Sequence, residues 1–222
     1  MITLHYLENS RAQRILWLLE ELGVEYEIKH YHRNKETMLA PPELKDVHPL
    51  GKSPVLTDTE NCIAESAAIV EYLIDTHGNG KLIPQTGTKE YLKYREFMHY
   101  AEGSIMPFML LSLIFNKIKE APMPFFVKPI AKGIANKTMH NFVSPNLKTH
   151  LTYLDNELAK TGWFAGSEMT GADVMMSFPL EASAARTNLS EEYHNIASFL
   201  DRIHQMPSYK SAIDKGLPYA YA

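Results

Sequence analysis

The chain opens on a run of β-forming residues, ITLHYL over Ile2–Leu7, which predicts a strand. Asn9 and Ser10 follow, then RAQRILWLLEELG, in which Ile15, Leu16, Leu18, Leu19 and Leu22 recur at helical spacing. Ser10 with Gln13 three residues later has the form of a capping box, and Gly23 is placed to end the helix. Residues 24–31, VEYEIKHY, alternate apolar and polar and predict a second strand. Strand, helix and strand in this order make a βαβ unit, whose strands should run parallel with a right-handed crossover.

A polar, proline-containing loop is expected over residues 33–49. Residues 53–58 then read as a short strand and 61–63 as its hairpin partner. Glu65 and Ser66 open a helix, AAIVEYLIDTH, that Gly78 ends, and Leu82-Ile83-Pro84 marks a hand-over to a different architecture. From Thr88 onward the patterns are helical only. Residues 89–120 predict one long helix bent or split at Pro107, and the prolines of 122–129 break it. Further helices are expected over 145–160, with Leu147, Leu151, Leu154 and Leu158 on one stripe, and over 170–185, 190–206 and 208–215. The order predicts an α/β domain at residues 1–80 followed by an all-α domain at 88–222.

Composition narrows the choice of partners. The chain has 222 residues, 45% hydrophobic and 22% charged, with net charge −4, an ordinary globular balance. Residues 1–84 carry 8 Lys and Arg against 13 Asp and Glu, so the first part is acidic and argues against nucleic acid or an anionic membrane as partner. Cys62 is the sole cysteine, which rules out an intrachain disulfide and fits a reducing compartment. The opening MITLHYLENSR lacks the pattern of a signal peptide, and the apolar stretch 105–115, interrupted by Pro107, is too short to cross a bilayer. A soluble, cytoplasmic protein is expected.

Four stretches, SRAQRILWLLEELG, HPLGKSPVL, AESAAIVEYL and FAGSEMTGADV, occur in the order and spacing of the cytosolic glutathione transferases. The chain resembles that family over almost its whole length, most closely the bacterial and fungal subgroup with an S-R-x-x-R-[IL]-L-W-L-L first helix. The resemblance implies a thioredoxin-like glutathione-binding domain, βαβ–ββα, followed by a C-terminal helical bundle. It implies conjugation of the glutathione thiolate to small, largely apolar electrophiles, with glutathione as co-substrate, no other cofactor, and a homodimer.

The chemistry has its own logic in these residues. A free thiol has a pKa of about 8.5 and is mostly protonated at neutral pH. A helix N-terminus, with unpaired N–H groups and a positive dipole end, favours the thiolate. Ser10 stands there, either as a plain N-cap or as a hydroxyl donor to sulfur. Aligned on Ile15, the activating position of several classes falls instead on Asn9, whose amide can also donate. By resemblance, Ser53 offers backbone groups to the cysteinyl part of glutathione before a cis Pro54. Glu65 and Ser66 hold the γ-glutamyl end from a helix start, and Lys52 faces the glycyl carboxylate. The family's second basic residue is missing from the segment Met38-Leu39-Ala40-Pro41-Pro42, which leaves its role vacant or passes it to Arg33 or Lys35. Leu7, Tyr100, Met106 and Phe108 are the expected walls for the second substrate. Thr170 and Asp173 resemble the family's structural capping box.

Other signals carry less. Ten histidines, His5, His30 and His32 among them, come without metal-ligand spacing, so no metal site is expected. The methionines read as core filler, and Cys62 stands outside any C-x-x-C motif. Two other functions fit the same fold: a glutathione-dependent disulfide oxidoreductase or peroxidase, toward which Asn at the active position leans, and a non-catalytic glutathione-binding regulator.

Overall fold

The computed structural model describes residues 1–185 and 189–221; residues 186–188 and 222 of the expected helical region lie outside the described residues. Four strands form one sheet among them: β1 (Ile2–Leu7), β2 (Tyr26–Tyr31), β3 (Val55–Thr57) and β4 (Cys62–Ala64), in the order β2-β1-β3-β4. β1 runs parallel to β2, Ile2 opposite Tyr26 through Leu7 opposite Tyr31, and β3 is antiparallel to both β1 and β4. β1 is central, and its residues are buried almost end to end.

Between β1 and β2 lies α1 (Ala12–Leu22), ended by Gly23 in the left-handed region at φ 64°. The expected apolar stripe is only part of its buried surface. Gln13, Arg14 and Trp17 are buried with Ile15, Leu16, Leu18 and Leu19. A helix buried all round needs cover on both sides. The sheet supplies one side, and α8 (Gly171–Ala184) and α11 (Pro207–Lys215) pack on the other. α8 is itself buried from Gly171 to Ser183, which makes it the centre of the helical region.

α3 (Ser66–His77) begins where the ββ hairpin ends. At Gly171, an added Cβ would stand 2.5 Å from Ile74 Cδ1 and 3.0 Å from Val70 Cγ1, so α8 meets α3 at a distance only glycine permits. The Thr170–Asp173 capping box is formed at this junction, with the Asp173 carboxylate accepting the Thr170 N–H at 2.8 Å.

The run expected over 89–120 forms α4 (Lys89–Tyr100), a π turn (Ala101–Ile105) and α5 (Met106–Glu120). Pro107 falls in the first turn of α5, where its missing N–H costs little, so the irregularity sits in the π turn before it. The continuous run Lys89–Glu120 is long and apolar enough to cross a membrane by length and composition alone, a test that the core helix of a soluble protein also passes. Its apolar character has a local use: Tyr94, Phe97, Met98, Ala101, Ile105 and Met109 are buried in the core.

Two helices were not expected. α2 (Glu43–Val47) stands in the 33–49 loop, and α6 (Lys128–Thr138) follows the proline-rich break. α7 (Ser144–Thr161) buries Leu151, Leu154 and Leu158 as expected, while Leu147 is half-buried. The single helix expected over 190–206 is two, α9 (Leu189–Glu192) and α10 (His194–Gln205), because Tyr193 takes φ −130° and ψ 76° between them.

Candidate active site

β1 delivers the chain to the site, and Asn9 turns it with φ 47°, in the left-handed region that Asn tolerates better than most residues. Ser10 is buried, and its Oγ accepts the Ala12 N–H at 3.2 Å, covering one of the donors that the start of α1 leaves open. The expected reciprocal half of the capping box is absent. Gln13 Oε1 instead accepts the Tyr6 hydroxyl at 2.7 Å, because Gln13 is buried beside β1 and turned away from the cap.

Ser53 precedes β3, and its hydroxyl donates to the His5 carbonyl at 2.9 Å and accepts the Leu7 N–H at 3.1 Å. These two bonds pin it to the end of β1, next to the turn that carries Asn9. The Ser53–Pro54 peptide bond is cis. Val55 pairs with Ala64, so Glu65 lies beside Pro54 one step further along the ladder. Glu65 is exposed with φ 71° and ψ 120°, a conformation that costs a non-glycine residue about 1–3 kcal/mol and tends to mark functional sites. Ser66, at the first position of α3, is buried.

Leu7, Asn9, Ser10, Lys52 and Ser53 line one cleft of about 560 Å³, together with Arg11, Arg33 and the loop residues Met38, Leu39 and Ala40. The facing wall is Met106, Met109, Leu110, Leu113 and Lys117 of α5, with Phe178 and Ala182 of α8 and the returning residues Ala220 and Tyr221. The sheet side therefore holds most of the polar groups, with Leu7, Met38, Leu39 and Ala40 among them, and the helical side is apolar apart from Lys117. Arg11, Arg33, Lys52 and Lys117 make it positive, and among the described residues no Asp or Glu lines it.

Of the residues expected here, Pro54, Glu65 and Ser66 adjoin the cleft through the sheet register, while Tyr100 and Phe108 lie elsewhere and are corrected. The Tyr100 hydroxyl is paired with His150 Nδ1, and its ring packs on Phe97 and Tyr153. Phe108 packs on Phe142 and His150. At 100° per residue Phe108 points about 200° away from Met106, so one helix face cannot present both to the cleft. His5 is bonded to the Tyr31 hydroxyl at 2.9 Å and Thr57 Oγ1 at 3.0 Å, as a core histidine. Among the described residues no cluster of His, Cys, Asp and Glu is gathered to hold a metal ion.

Three contributions go beyond the sequence reading, which offers Arg33 only as an alternative to Lys35. Arg33 closes the turn: its Nε, Nη1 and Nη2 donate to the carbonyls of Glu8, Met38 and Asn9 at 3.2, 3.0 and 3.3 Å. Of the two basic residues considered for the vacant position, Arg33 lines the cleft and Lys35 does not. The Arg33 N–H also donates to Glu8 Oε1 at 2.7 Å, which with His32 holds the Glu8 carboxyl below its ordinary range. Glu102, in the π turn, pairs with the fully buried Arg14 and lies 3.0 Å from Arg11 Nε. Arg14 Nη1 also donates to the Met175 carbonyl at 2.8 Å. That carbonyl lacks its helical donor because Pro179, four residues on, has no N–H. The two arginines of the first-helix motif thus join α1 to the π turn and to α8. The third contribution is the segment 216–221, which brings Ala220 and Tyr221 to the cleft.

The family description "Glutathione S-transferase, N-terminal domain" matches residues 1–75, and "Glutathione S-transferase, C-terminal domain" matches residues 118–215. Glutathione S-transferase 3 of Schizosaccharomyces pombe is 38% identical over 216 residues, covering 97% of this chain and 88% of that protein. The chain belongs to the glutathione S-transferase family. Glutathione S-transferase 1 of Saccharomyces cerevisiae is 33% identical over 225 residues, covering 97% of this chain and 95% of its own. A glutathione S-transferase structure from Actinobacillus pleuropneumoniae superimposes with TM-score 0.79 at 32% identity, covering 97% and 92% of the two chains. As a member of the family the chain is an enzyme, a glutathione S-transferase, with a thioredoxin-like sheet domain and a helical C-terminal region.

Proposed function

We propose that this glutathione S-transferase conjugates the glutathione thiolate to small, electrophilic, largely apolar substrates. The observation that carries the reading is the two-sided cleft. Asn9, Ser10, Lys52 and Ser53 stand on a positive, hydrogen-bonding wall, and Met106, Met109, Leu110 and Leu113 face them. Glutathione is an anionic tripeptide suited to the first wall, and an apolar electrophile is suited to the second.

In this reading the cysteinyl sulfur sits at the N-terminus of α1. Ser10 Oγ already accepts the Ala12 N–H, which leaves its hydroxyl proton to donate to sulfur. The Asn9 amide and the dipole of α1 add to the same effect. The thiol proton passes to water, the thiolate attacks the electrophilic carbon, a C–S bond forms, and the leaving group departs with its electron pair. Lys52 and Arg33 face the glycyl carboxylate, and Glu65 with Ser66 takes the γ-glutamyl end. No further cofactor takes part, and the reaction is cytoplasmic. The membership proposed is the bacterial and fungal subgroup, whose first-helix arginines have defined work here in Arg11 and Arg14. A homodimer belongs to the proposal, and the exposed Ile114 and Ile118, one turn apart on α5 and outside the cleft lining, leave apolar surface for it.

Calorimetry with glutathione, and turnover with an aryl chloride, a mixed disulfide and an organic peroxide, test the reading. Binding with turnover of the aryl chloride is expected. Turnover of the disulfide or peroxide alone would replace it with the reductase function, and binding with no turnover would replace it with a regulatory one.

A further inference from the structure

After α11 the chain runs back over the start of α1. The Tyr219 hydroxyl donates to Glu181 Oε2 at 2.6 Å. Glu181 belongs to α8 and is buried; its other oxygen takes the Tyr209 hydroxyl at 2.6 Å and lies 3.2 Å from His204 Nε2. Each carboxylate oxygen thus has its own phenol, and Tyr219 ties the segment 216–221 to the core of the helical region. Burial together with Glu181 holds the Tyr219 phenol well above its ordinary pKa, so it stays a donor through the physiological range.

One residue on, the Ala220 N–H donates to Asn9 Oδ1 at 2.8 Å. A backbone N–H can only donate, so the side-chain oxygen of Asn9 must face it and the NH₂ must point the other way. The Asn9 main-chain carbonyl is held separately by Arg33 Nη2 at 3.3 Å. The turn is therefore fixed from one side by Arg33, and its side-chain amide from the other by Ala220. Tyr221 completes the segment with its ring edge-on to Phe178 at 5.6 Å and to Tyr219 at 5.3 Å.

We infer that Tyr219 is a positioning residue for the reaction. Anchored on Glu181, it holds the Ala220 N–H on Asn9 Oδ1 and so aims the Asn9 amide donors at the glutathione sulfur. The inference rests on the proposed thiolate mechanism and adds a part to it, because the segment after the last helix becomes a working part of the site. Without the anchor the Asn9 amide can turn over, and its oxygen would then face a thiolate.

The test is the pKa of enzyme-bound glutathione, followed by thiolate ultraviolet absorbance against pH. It is read beside kcat/KM with an aryl chloride and KM for glutathione. Tyr219→Phe should raise the bound pKa by about half a unit or more and lower kcat/KM about threefold at neutral pH, while KM for glutathione changes less. Adding Asn9→Ala should bring no further rise, since both changes remove one effect. Tyr209→Phe, which strips the other phenol from Glu181, should lower the melting temperature and leave the bound pKa in place. Ala220→Pro deletes the N–H without touching Glu181 and decides the matter if Tyr219→Phe does not fold. Wild-type pKa values in both Tyr219→Phe and Ala220→Pro, with Asn9→Ala raised, would overturn this inference and leave the proposed function standing. An unchanged pKa in Asn9→Ala, or equal shifts in Tyr209→Phe and Tyr219→Phe, would also overturn it. A wild-type bound pKa equal to that of free glutathione would overturn both.

Discussion

Replacing Glu102 by alanine removes the carboxylate that faces Arg14 while leaving the guanidinium where it is. The Arg14 side chain is 0% exposed and that of Glu102 is 30% exposed. Breaking a fully buried pair costs about 3–5 kcal/mol, because an unpaired charge is left in the interior. Two features reduce that here. The Met175 carbonyl still accepts from Arg14 at 2.8 Å, and the place of Glu102 is open enough for water to follow. A loss of about 2–3 kcal/mol is expected, which for a chain of this size lowers the melting temperature by roughly 5–10 °C. Guanidinium unfolding followed by the fluorescence of the two tryptophans, buried Trp17 and partly buried Trp163, measures it. Combining Glu102→Ala with Arg14→Met removes the stranded charge as well and should recover part of the loss, although the Met175 carbonyl opposite Pro179 is then orphaned. A single variant within about 0.5 kcal/mol of wild type, or a double variant less stable than the single, would mean that Glu102 does not compensate a buried Arg14 charge.

Glu65→Gln should weaken glutathione binding about tenfold or more by removing a charge-assisted hydrogen bond, with the fold intact; an unchanged dissociation constant in calorimetry would make Glu65 a helix-start residue only. Burial pushes the Asp173 carboxyl up to about 6, against the hydrogen bonds from Phe164 and Thr170. The native state then holds this proton more tightly than the unfolded chain, so the stability Asp173 contributes is present at low pH and is lost as pH rises from about 4 to 6. The stability of wild type relative to Asp173→Asn should fall across that window, and a pH-independent difference would contradict it. Thr170→Ala removes the cap hydroxyl that accepts the Ala172 N–H at 3.3 Å and should cost about 1 kcal/mol in urea unfolding.

The sheet domain was legible because its signals are local. ITLHYL, the Ile15–Leu22 periodicity and Gly23 each act within a few residues, and a βαβ order leaves few topologies to choose from. α2 escaped notice because five residues between prolines carry no period, and α6 because Pro129 and Gly133 interrupt its pattern. The capping box at Ser10 failed for a tertiary reason, since Tyr6 claims Gln13. Tyr100 and Phe108 were assigned to the cleft along a helix whose faces are rotated by the π turn and whose inner side is set by Met106. The glutathione-side residues could be named from four short stretches of sequence and Arg33 only as one of two candidates, whereas Glu102 and Ala220 could not be named at all. Their contacts are to carbonyls, charges and amides that only the folded chain brings near.

The proposed reaction depends on a thiolate held at the start of α1, and titrating glutathione bound to the unmutated protein measures that thiolate directly. Absorbance of the bound thiolate, followed from acid to alkaline pH at saturating protein, gives the pKa without any variant. The helix terminus, the Ser10 hydroxyl and the positive lining of Arg11, Arg33, Lys52 and Lys117 all favour the anion. The expected bound pKa lies at least about one unit below the free value of about 8.5, equivalent to about 1.4 kcal/mol or more in favour of the thiolate. A bound pKa equal to the free value would contradict it.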